Sequence, residues 1–430
     1  MEQVIKIGLL GLGTVGRGVY RILAENRENI RQRVGIGLEI KKIMVRNLDK
    51  DRGLSLPEGI LTTNIQDITN DPEIKIVVEV LGGIQPALDY VLEALNRGKS
   101  VVTANKDMVA EHGQRLFKAA QTNQCDLLFE ASVAGGIPII RTLKQSLAGN
   151  RIDEVFGIIN GTTNYMLTKM TQEGCDFKDV LQEAQAKGYA EADPTADVGG
   201  FDAARKIAIL ASIAFNTRIP LQQVYTEGIT HITPQDILYA NELGYIIKLL
   251  GIAKNRPEGV EVRVHPTFIP KDHPLAAVGD AFNAVFVRGN AVGDTMFYGR
   301  GAGELPTASA VVADIMDAAR DIIRNVPGII GCTCFKQLPV LPVGETLSKY
   351  YIRLRVADKP GVLASIALVF GNKEVSLKSV IQKEATGKTA ELVLVTHRVQ
   401  EQNVQDALMD IKQLSSVMEV ANVIRVEGEE

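Results

Sequence analysis

The first 130 or so residues alternate between short apolar runs and longer mixed stretches. Val4 to Leu10 (V-I-K-I-G-L-L), Glu39 to Val45, Ile74 to Leu81 (I-K-I-V-V-E-V-L), Ser100 to Lys106 and Asp126 to Val133 each read as a strand. Helix-forming segments lie between them: R-G-V-Y-R-I-L-A-E-N after the first, Pro86 to Arg97, and a run ending near Gln121. Strand and helix in alternation predict a Rossmann-type α/β layer with a parallel sheet. Further on, Val155 to Ile159 reads as a strand running into a helix that opens at Asn160-Gly161-Thr162-Thr163-Asn164. Val260 to Val287 reads as strands interrupted by Pro270 and Pro274, and Thr307 to Arg324 as an amphipathic helix that packs back on the first region.

The stretch from Gly188 to Phe215 breaks these patterns. Its first half is a loop with four carboxylates, Glu191, Asp193, Asp197 and Asp202, spaced irregularly around one proline and two glycines. Its second half, from Phe201, reads as a helix that is apolar on every side after Arg205 and Lys206, and such helices are normally buried. Lys206 therefore stands where a buried helix begins, with Asp202 one turn earlier on the same face. An ordinary surface pair is the plain alternative. The non-amphipathic helix and the acidic loop favour a site for a small polar molecule instead.

Near the end of the chain, Asn325 to Ser348 is rich in proline and glycine and reads as a linker. Beyond it come an alternating strand (Tyr350 to Val356), a helix to about Gly371, strands at Val375 to Gln382 and Thr389 to Thr396, a helix from Val404 and a last strand near Val420 to Val426. That order, βαββαβ, is a ferredoxin-like unit. The expected regions are thus 1–134, an α+β region 135–304, a linker 326–348 and a C-terminal unit 349–430.

A net charge of −4 with no long basic run argues against a nucleic-acid surface. Five scattered histidines (His112, His231, His265, His273, His397) give no zinc-ligand spacing. Cys125, Cys175, Cys332 and Cys334 form neither a C-x-x-C nor a disulfide framework, so reduced thiols in a soluble cytoplasmic protein are expected. The chain enters a strand directly after M-E-Q, which leaves no room for a secretion signal, and no stretch approaches the roughly 20 apolar residues that span a bilayer.

The chemistry starts at Gly11-Leu-Gly13-Thr14-Val15-Gly16, a G-x-G-x-x-G set between strand and helix. Gly11 suits a tight turn, Gly13 a close approach of a pyrophosphate and Gly16 close helix packing, so a dinucleotide is the expected cofactor. The second strand ends in Arg46 rather than an acid, with Lys50 and Arg52 nearby, which tilts the expectation toward NADP over NAD. Asn105 and Lys106 end another strand and so face the ligand side of the sheet. Glu130-Ala-Ser-Val133-Ala-Gly135-Gly136-Ile137-Pro138 forms an irregular turn able to hold an anion on amides or a cation on carbonyls. The helix start at Asn160 to Asn164 suits a carboxylate or amino-acid head group.

These motifs, in this order, resemble homoserine dehydrogenase: G-L-G-T-V-G, T-A-N-K, E-A-S-V-A-G-G-I-P, N-G-T-T-N, G-Y-A-E-A-D-P-T-A-D-V-G-G-F-D-A-A-R-K and the run from Gly301 to Ser309. The resemblance implies interconversion of L-homoserine and L-aspartate 4-semialdehyde with NAD(P)H, on the route to threonine, methionine and isoleucine. It makes Lys206 the proton donor and acceptor, puts Lys106 beside substrate and nicotinamide, and counts Asp202 with the catalytic set. It gives Glu191, Asp197, Asp202, Gly161 and Thr162 to the substrate and Gly303 to the cofactor. It also implies a sodium ion on carbonyls around Glu130, Val133, Gly135 and Ile137, and a homodimer or homotetramer. The turn Asp358-Lys-Pro-Gly361-Val362-Leu363 resembles an ACT domain, whose amides would hold an amino-acid effector, L-threonine in such a pathway. Two other readings stay open at this point. One is another ACT-bearing amino-acid dehydrogenase, although no histidine falls in a motif to serve as its acid or base. The other is a nucleotide and amino-acid sensor without turnover.

Overall fold

The apolar runs at the start of the chain become a six-stranded parallel sheet in the computed structural model, which describes residues 3–383 and 388–428. Met1 and Glu2, at the head of the proposed leader-free start, lie outside the described residues. The strands are β1 (Val4–Leu10), β2 (Gly37–Met44), β3 (Leu61–Thr62), β4 (Ile74–Glu79), β5 (Ser100–Thr103) and β6 (Leu127–Leu128), in the order β3-β2-β1-β4-β5-β6. The order reverses between β1 and β4, and in such sheets ligands bind beyond the carboxyl ends of the strands at that point. Alternate residues feed two cores. Ile7, Leu9, Ile76 and Val78 pack with Val19 and Ile315, whereas Leu10, Val77 and Val101 pack with Leu88, Val91 and Leu116. Both faces are covered by helices, which is why the strands read as apolar runs rather than alternations.

This sheet belongs to one of two units into which the chain divides, Met1–Val155, Arg205–Leu221 and Asn283–Leu338 in the first, and Phe156–Ala204, Gln222–Phe282 and Pro339–Glu430 in the second. Within the first unit, the strand expected over Asp126 to Val133 is cut to Leu127–Leu128 and followed by a 3-10 turn, Glu130–Ser132. The cause is Glu130, whose amide donates to the Asp314 carboxylate at 2.8 Å and so leaves the sheet ladder. The late helix begins at Glu304, three residues before the expected start, and runs to Arg324. It lies so close to the Thr14–Glu25 helix that a Cβ on Gly18 would stand 2.7 Å from the Glu304 carbonyl oxygen.

In the second unit, Tyr245–Arg256 pairs antiparallel with Gly259–Pro270 along its whole length. Pro270 ends that strand, but Pro266 sits inside it opposite Leu249. The C-terminal strands Leu347–Ala357, Leu377–Gln382, Thr389–Thr396 and Val417–Val426 form an antiparallel sheet with Leu347–Ala357 and Thr389–Thr396 inside, the ferredoxin-like arrangement. Tyr350, Ile352, Ile366, Phe370, Leu392 and Val404 make its core. Its last strand also pairs in parallel with Gly259–Pro270, through Thr267 with Arg425 and Phe268 with Val426.

The proline-rich stretch 326–348 is not a free linker. Lys336 bridges to Thr217 in the first unit, and in the second Val260 donates to the Pro339 carbonyl (2.8 Å) and accepts from Leu341 N–H (2.9 Å). Open ladder groups on Val260 draw this segment down as a short extra strand.

Candidate active site

In the first unit the glycine-rich turn has the geometry that its sequence demands. Gly11 has φ +102°, where a side chain is strained, and a Cβ on Gly16 would lie 2.2 Å from the Gly11 carbonyl oxygen. A Cβ on Gly13 would meet nothing within 4 Å, so that residue marks an open approach rather than a packed one. The helix beginning with Thr14 and Val15 has neither a side-chain cap nor an acid in its first turn, which leaves its amides to an anion. Gly303, with φ +123°, sits directly before Glu304, which pairs with Arg17 and Arg21 of that same helix at 3.2 Å. Arg46 is exposed just past β2, and the Arg52 guanidinium donates to the carbonyls of Lys50 (2.6 Å) and Asn47 (2.5 Å).

The ends of β4 and β5 are tied by Glu79, a buried carboxylate that accepts from Thr103 Oγ1 at 2.5 Å and from Leu81 N–H at 2.8 Å. Burial pushes its carboxyl above the usual range. Asn105 then caps the next helix, its Oδ1 accepting from Met108 N–H (3.1 Å) and its Nδ2 donating to the Gly83 carbonyl (2.6 Å). Lys106 is thereby the first residue of the Lys106–Thr122 helix, half-buried at the ligand end of the sheet. Its neighbour Asp107 pairs with Arg205 Nε at 2.7 Å. Arg205 precedes Lys206 on the Phe201–Ala214 helix, so one ion pair holds together the starts of the two helices that carry the lysines. Lys206 is half-buried, less enclosed than its apolar helix suggests, while Ile207 to Ala211 are buried as expected.

In the second unit the acidic loop is organised by Asn160, which is 5% exposed. Its Nδ2 donates to Asp197 Oδ1 at 2.7 Å and to Asp202 Oδ2 at 2.9 Å, while its Oδ1 accepts from Thr163 N–H and caps the Gly161–Glu173 helix. Asp202 is buried and Asp197 half-buried. Thr162 Oγ1 donates to the Tyr189 carbonyl at 2.6 Å, which fixes the loop that leads to Glu191, itself exposed. The loop contains a short helix, Thr195–Val198, that its proline and glycines concealed. Asp193 supports it by accepting from Thr195 N–H at 3.1 Å.

Glu130 does not offer its carboxylate to a ligand, since it accepts from Ile140 and Arg141 N–H at 2.7 Å each. The turn after it is tight: Ala134 and Gly135 have φ +57° and +53°, and a Cβ on Gly135 would lie 2.3 Å from the Gly301 carbonyl oxygen. Val133 and Ile137 are buried in it. The oxygens it presents are backbone carbonyls, of which those of Glu130 and Ile137 already accept from Val133 (3.4 Å) and Ile139 (2.9 Å) N–H, and a carbonyl set suits a hard cation. Among the described residues there is no cluster of His, Cys, Asp and Glu able to hold a metal, and no helix long and apolar enough to cross a membrane. At the C-terminal unit, Gly361 (φ +88°) opens the Val362–Asn372 helix, which has neither a side-chain cap nor an acid in its first turn. Asp358 beside it accepts from Gln382 at 3.4 Å, Val362 is buried and Leu363 is exposed.

Sequence reading passed over Glu79, Asp107 and Arg205, and counted Asn160 only as part of a helix start. Glu79 reads as one polar break in a buried strand. The partner of Asp107 lies 98 positions away, so no local spacing signals it.

Comparison with known proteins agrees with this geometry. Family models match at residues 11–130 (homoserine dehydrogenase, NAD binding domain), 138–316 (homoserine dehydrogenase) and 350–416 (ACT domain). A homoserine dehydrogenase from Synechocystis sp. is 47% identical over 99% of this chain and 100% of its own. The crystal structure of one from Thiobacillus denitrificans superposes with a TM-score of 0.94 at 46% identity, covering 99% of each chain. A hyperthermophilic archaeal homoserine dehydrogenase in complex with NADPH matches with a TM-score of 0.63 at 28% identity, over 74% of this chain and 98% of that one. With a glycine-rich turn of dinucleotide-binding form at the head of a parallel sheet, and with relatives this near over 99% of its length, the chain belongs to the homoserine dehydrogenase family of NAD(P)-dependent oxidoreductases.

Proposed function

We propose that the chain interconverts L-homoserine and L-aspartate 4-semialdehyde with NADP(H) as its cofactor, and that Lys206 moves the proton. The observation that carries this is the 2.7 Å pair between Asp107 and Arg205, which sets Lys106 and Lys206 at adjoining helix starts beside the sheet's ligand end. The amides after Gly11, Gly13 and Gly16, with Thr14, Val15 and Gly303 around them, would hold the dinucleotide, whose chemistry when bound would be hydride transfer. Lys206 Nζ gives its proton to the carbonyl oxygen of the semialdehyde as that oxygen becomes an alcohol, and takes the hydroxyl proton in the reverse direction. Its charge stabilises the oxygen while negative charge develops there. Lys106, half-buried at β5's end, holds the same oxygen and the nicotinamide in register.

Asp197, Asp202 and Glu191 bind the substrate ammonium, and Gly161 with Thr162 lines its amino-acid end. Asp202 stands one turn before Lys206 on one helix, so the residue that grips the substrate also sets the charge near the proton carrier. Arg46 pairs with the 2′-phosphate of NADP. The carbonyls of Glu130, Val133, Gly135 and Ile137 are the groups that would hold a sodium ion, whose charge would stabilise this turn. The protein works as a homodimer or homotetramer, and L-threonine binds at Asp358, Gly361, Val362 and Leu363.

The test follows reduced-nicotinamide absorbance with L-homoserine and NADP, in wild type and in Lys206→Ala. Turnover by the wild type, its loss in the variant and retained NADPH binding by the variant are the expected outcomes. Near-normal turnover in Lys206→Ala would sink the assignment.

A further inference from the structure

Inside the first unit is a cavity of about 40 Å³ that none of these roles uses. Val109 and Gly113 of the Lys106–Thr122 helix form one wall, and Ala208 and Ser212 of the Phe201–Ala214 helix form another. Cys332 and Cys334 close it, and two cations, Lys144 and Arg218, line it with them. Arg218 Nη2 donates to Cys332 Sγ at 3.7 Å, and Cys334 Sγ donates to the Ser212 carbonyl at 3.7 Å. Lys144 lies 5.0 Å from the ring centroids of Phe117 and Phe129 and donates to the Gly331 carbonyl at 3.1 Å. The segment is pinned on its other side, where Lys336 N–H donates to the Asn216 carbonyl at 2.8 Å. The two cysteines are thus held in a fixed frame, Cys332 open to solvent and Cys334 half-buried behind it.

The frame treats the two thiols differently. Hydrogen bonds from Cys334 hold the Cys332 thiol well below the usual range against the opposing effect of burial, with Arg218 and Lys144 adding to them. The same contact with Cys332, together with burial, pushes the Cys334 thiol up. Cys175 is the natural contrast, since its thiol lies 3.9 Å from the Glu173 carboxylate.

We propose that Cys332 is a modification site for small hydroperoxides, a thiolate nucleophile with Cys334 as its resolving thiol. Cys332 is open to solvent beside this space, so a molecule as small as hydrogen peroxide reaches its thiol. Cys332 Sγ attacks one peroxide oxygen; the O–O bond breaks, the other oxygen leaves as hydroxide and is protonated to water, and Cys332 becomes a sulfenic acid. Cys334 gives up its proton and attacks Cys332 Sγ. The S–O bond breaks, the hydroxide leaves with that proton as a second water, and a disulfide forms. In sum one peroxide is reduced to two waters and two thiols are oxidised.

The experiment exposes the full-length wild type, Cys332→Ser, Cys334→Ser and Arg218→Ala to hydrogen peroxide at neutral pH, with and without a sulfenic-acid trap, and maps the products by peptide mass. An intrachain disulfide joining Cys332 to Cys334 is expected in the wild type, and trapped sulfenic acid on Cys332 in Cys334→Ser. Cys332 should react about tenfold faster than Cys175, and about threefold slower once Arg218 is removed. Equal rates at Cys332 and Cys175 in the wild type would overturn the proposal, even if a variant failed to fold. So would wild-type disulfides that join only separate chains. The readout is chemical and independent of the substrate the enzyme turns over.

Discussion

Asn160 holds a helix start and a pair of carboxylates with one amide. Its oxygen caps the Gly161–Glu173 helix, and its nitrogen bridges two carboxylates that would otherwise repel each other. Asn160→Ala removes both functions. Loss of the cap alone costs about 1 kcal/mol of stability. Freed of their shared donor, Asp197 and Asp202 no longer converge, and the homoserine KM is expected to rise about tenfold or more while the NADP KM stays put, since Asn160 bonds to Asp197, Asp202 and Thr163. Steady-state kinetics with each substrate varied in turn decides this; an unchanged homoserine KM would remove Asn160 from the pocket. Arg46 makes the complementary case on the cofactor side. Arg46→Ala should raise the NADP KM and leave the NAD KM nearly unaltered, because only NADP has a phosphate for it to pair with.

Between elements, the charged pairs that matter are buried ones. Arg425, on the last strand, is buried between Glu401 (2.8 Å) and Glu227 (2.8 Å), and stacks its guanidinium 4.8 Å from the Tyr225 ring. Glu227 leads into Gly228 and Ile229, and Ile229 N–H donates to the Val198 carbonyl at 2.9 Å, at the end of the short helix that holds Asp197. A Cβ on Gly228 would lie 2.1 Å from that carbonyl oxygen. Burial raises the Glu227 carboxyl, but the His231 hydrogen bond and Arg425 outweigh it and bring it down to about 2 from 4.5. Burial likewise raises Glu427, and Lys254 and Arg263 bring it down to about 2. Both folded values lie below the unfolded ones, so this stabilisation is complete above pH 4.5 and is lost as pH falls from there toward 2. Thermal melts across that window should fall steeply. Arg425→Met, which leaves the buried Glu401 without its cation and Glu227 with His231 still beside it, should cost about 3–5 kcal/mol near neutral pH.

At this scale the limits of sequence reading are plain. The glycine-rich turn was legible because backbone conformation is written in local residue types: Gly11 has a positive φ and a Cβ on Gly16 would strike the Gly11 carbonyl, while Gly13 faces open space. The long strand Tyr245–Arg256 drew no reading, because its buried Lys248 and Lys254 make it look polar. Those lysines are satisfied by Asn164, the Val278 carbonyl and Glu427, partners that only the fold supplies. The acidic loop was legible as a group of carboxylates, but not the asparagine that joins two of them. An Asp107–Arg205 pair cannot be seen from either end alone.

For the whole molecule, the test of an effector site depends on how the ACT domain is joined to the rest of the second unit. Cutting the chain after Ser348 would seem the direct test of an effector site, but the structure rules it out as a clean one. Val417–Val426 continues the sheet onto Gly259–Pro270, and Glu427 pairs with Lys254 at 2.7 Å and with Arg263 at 2.8 Å, both cations fully buried. Truncation would remove the Glu427 carboxylate from two buried cations and expose a strand edge, so any lost threonine response would be confounded by destabilisation. A point change at the helix start avoids this. Gly361 is exposed, far along the chain from that pairing, and a Cβ there meets nothing within 4 Å, although its φ of +88° makes any side chain mildly strained. Gly361→Asp places a carboxylate where the effector's own carboxylate would rest on the amides, and so opposes binding by charge. Turnover without effector and the melting temperature should stay near wild type, while inhibition by L-threonine disappears. A Gly361→Asp enzyme that threonine still inhibits as strongly would show that the effector binds elsewhere, and that this turn serves only to start its helix.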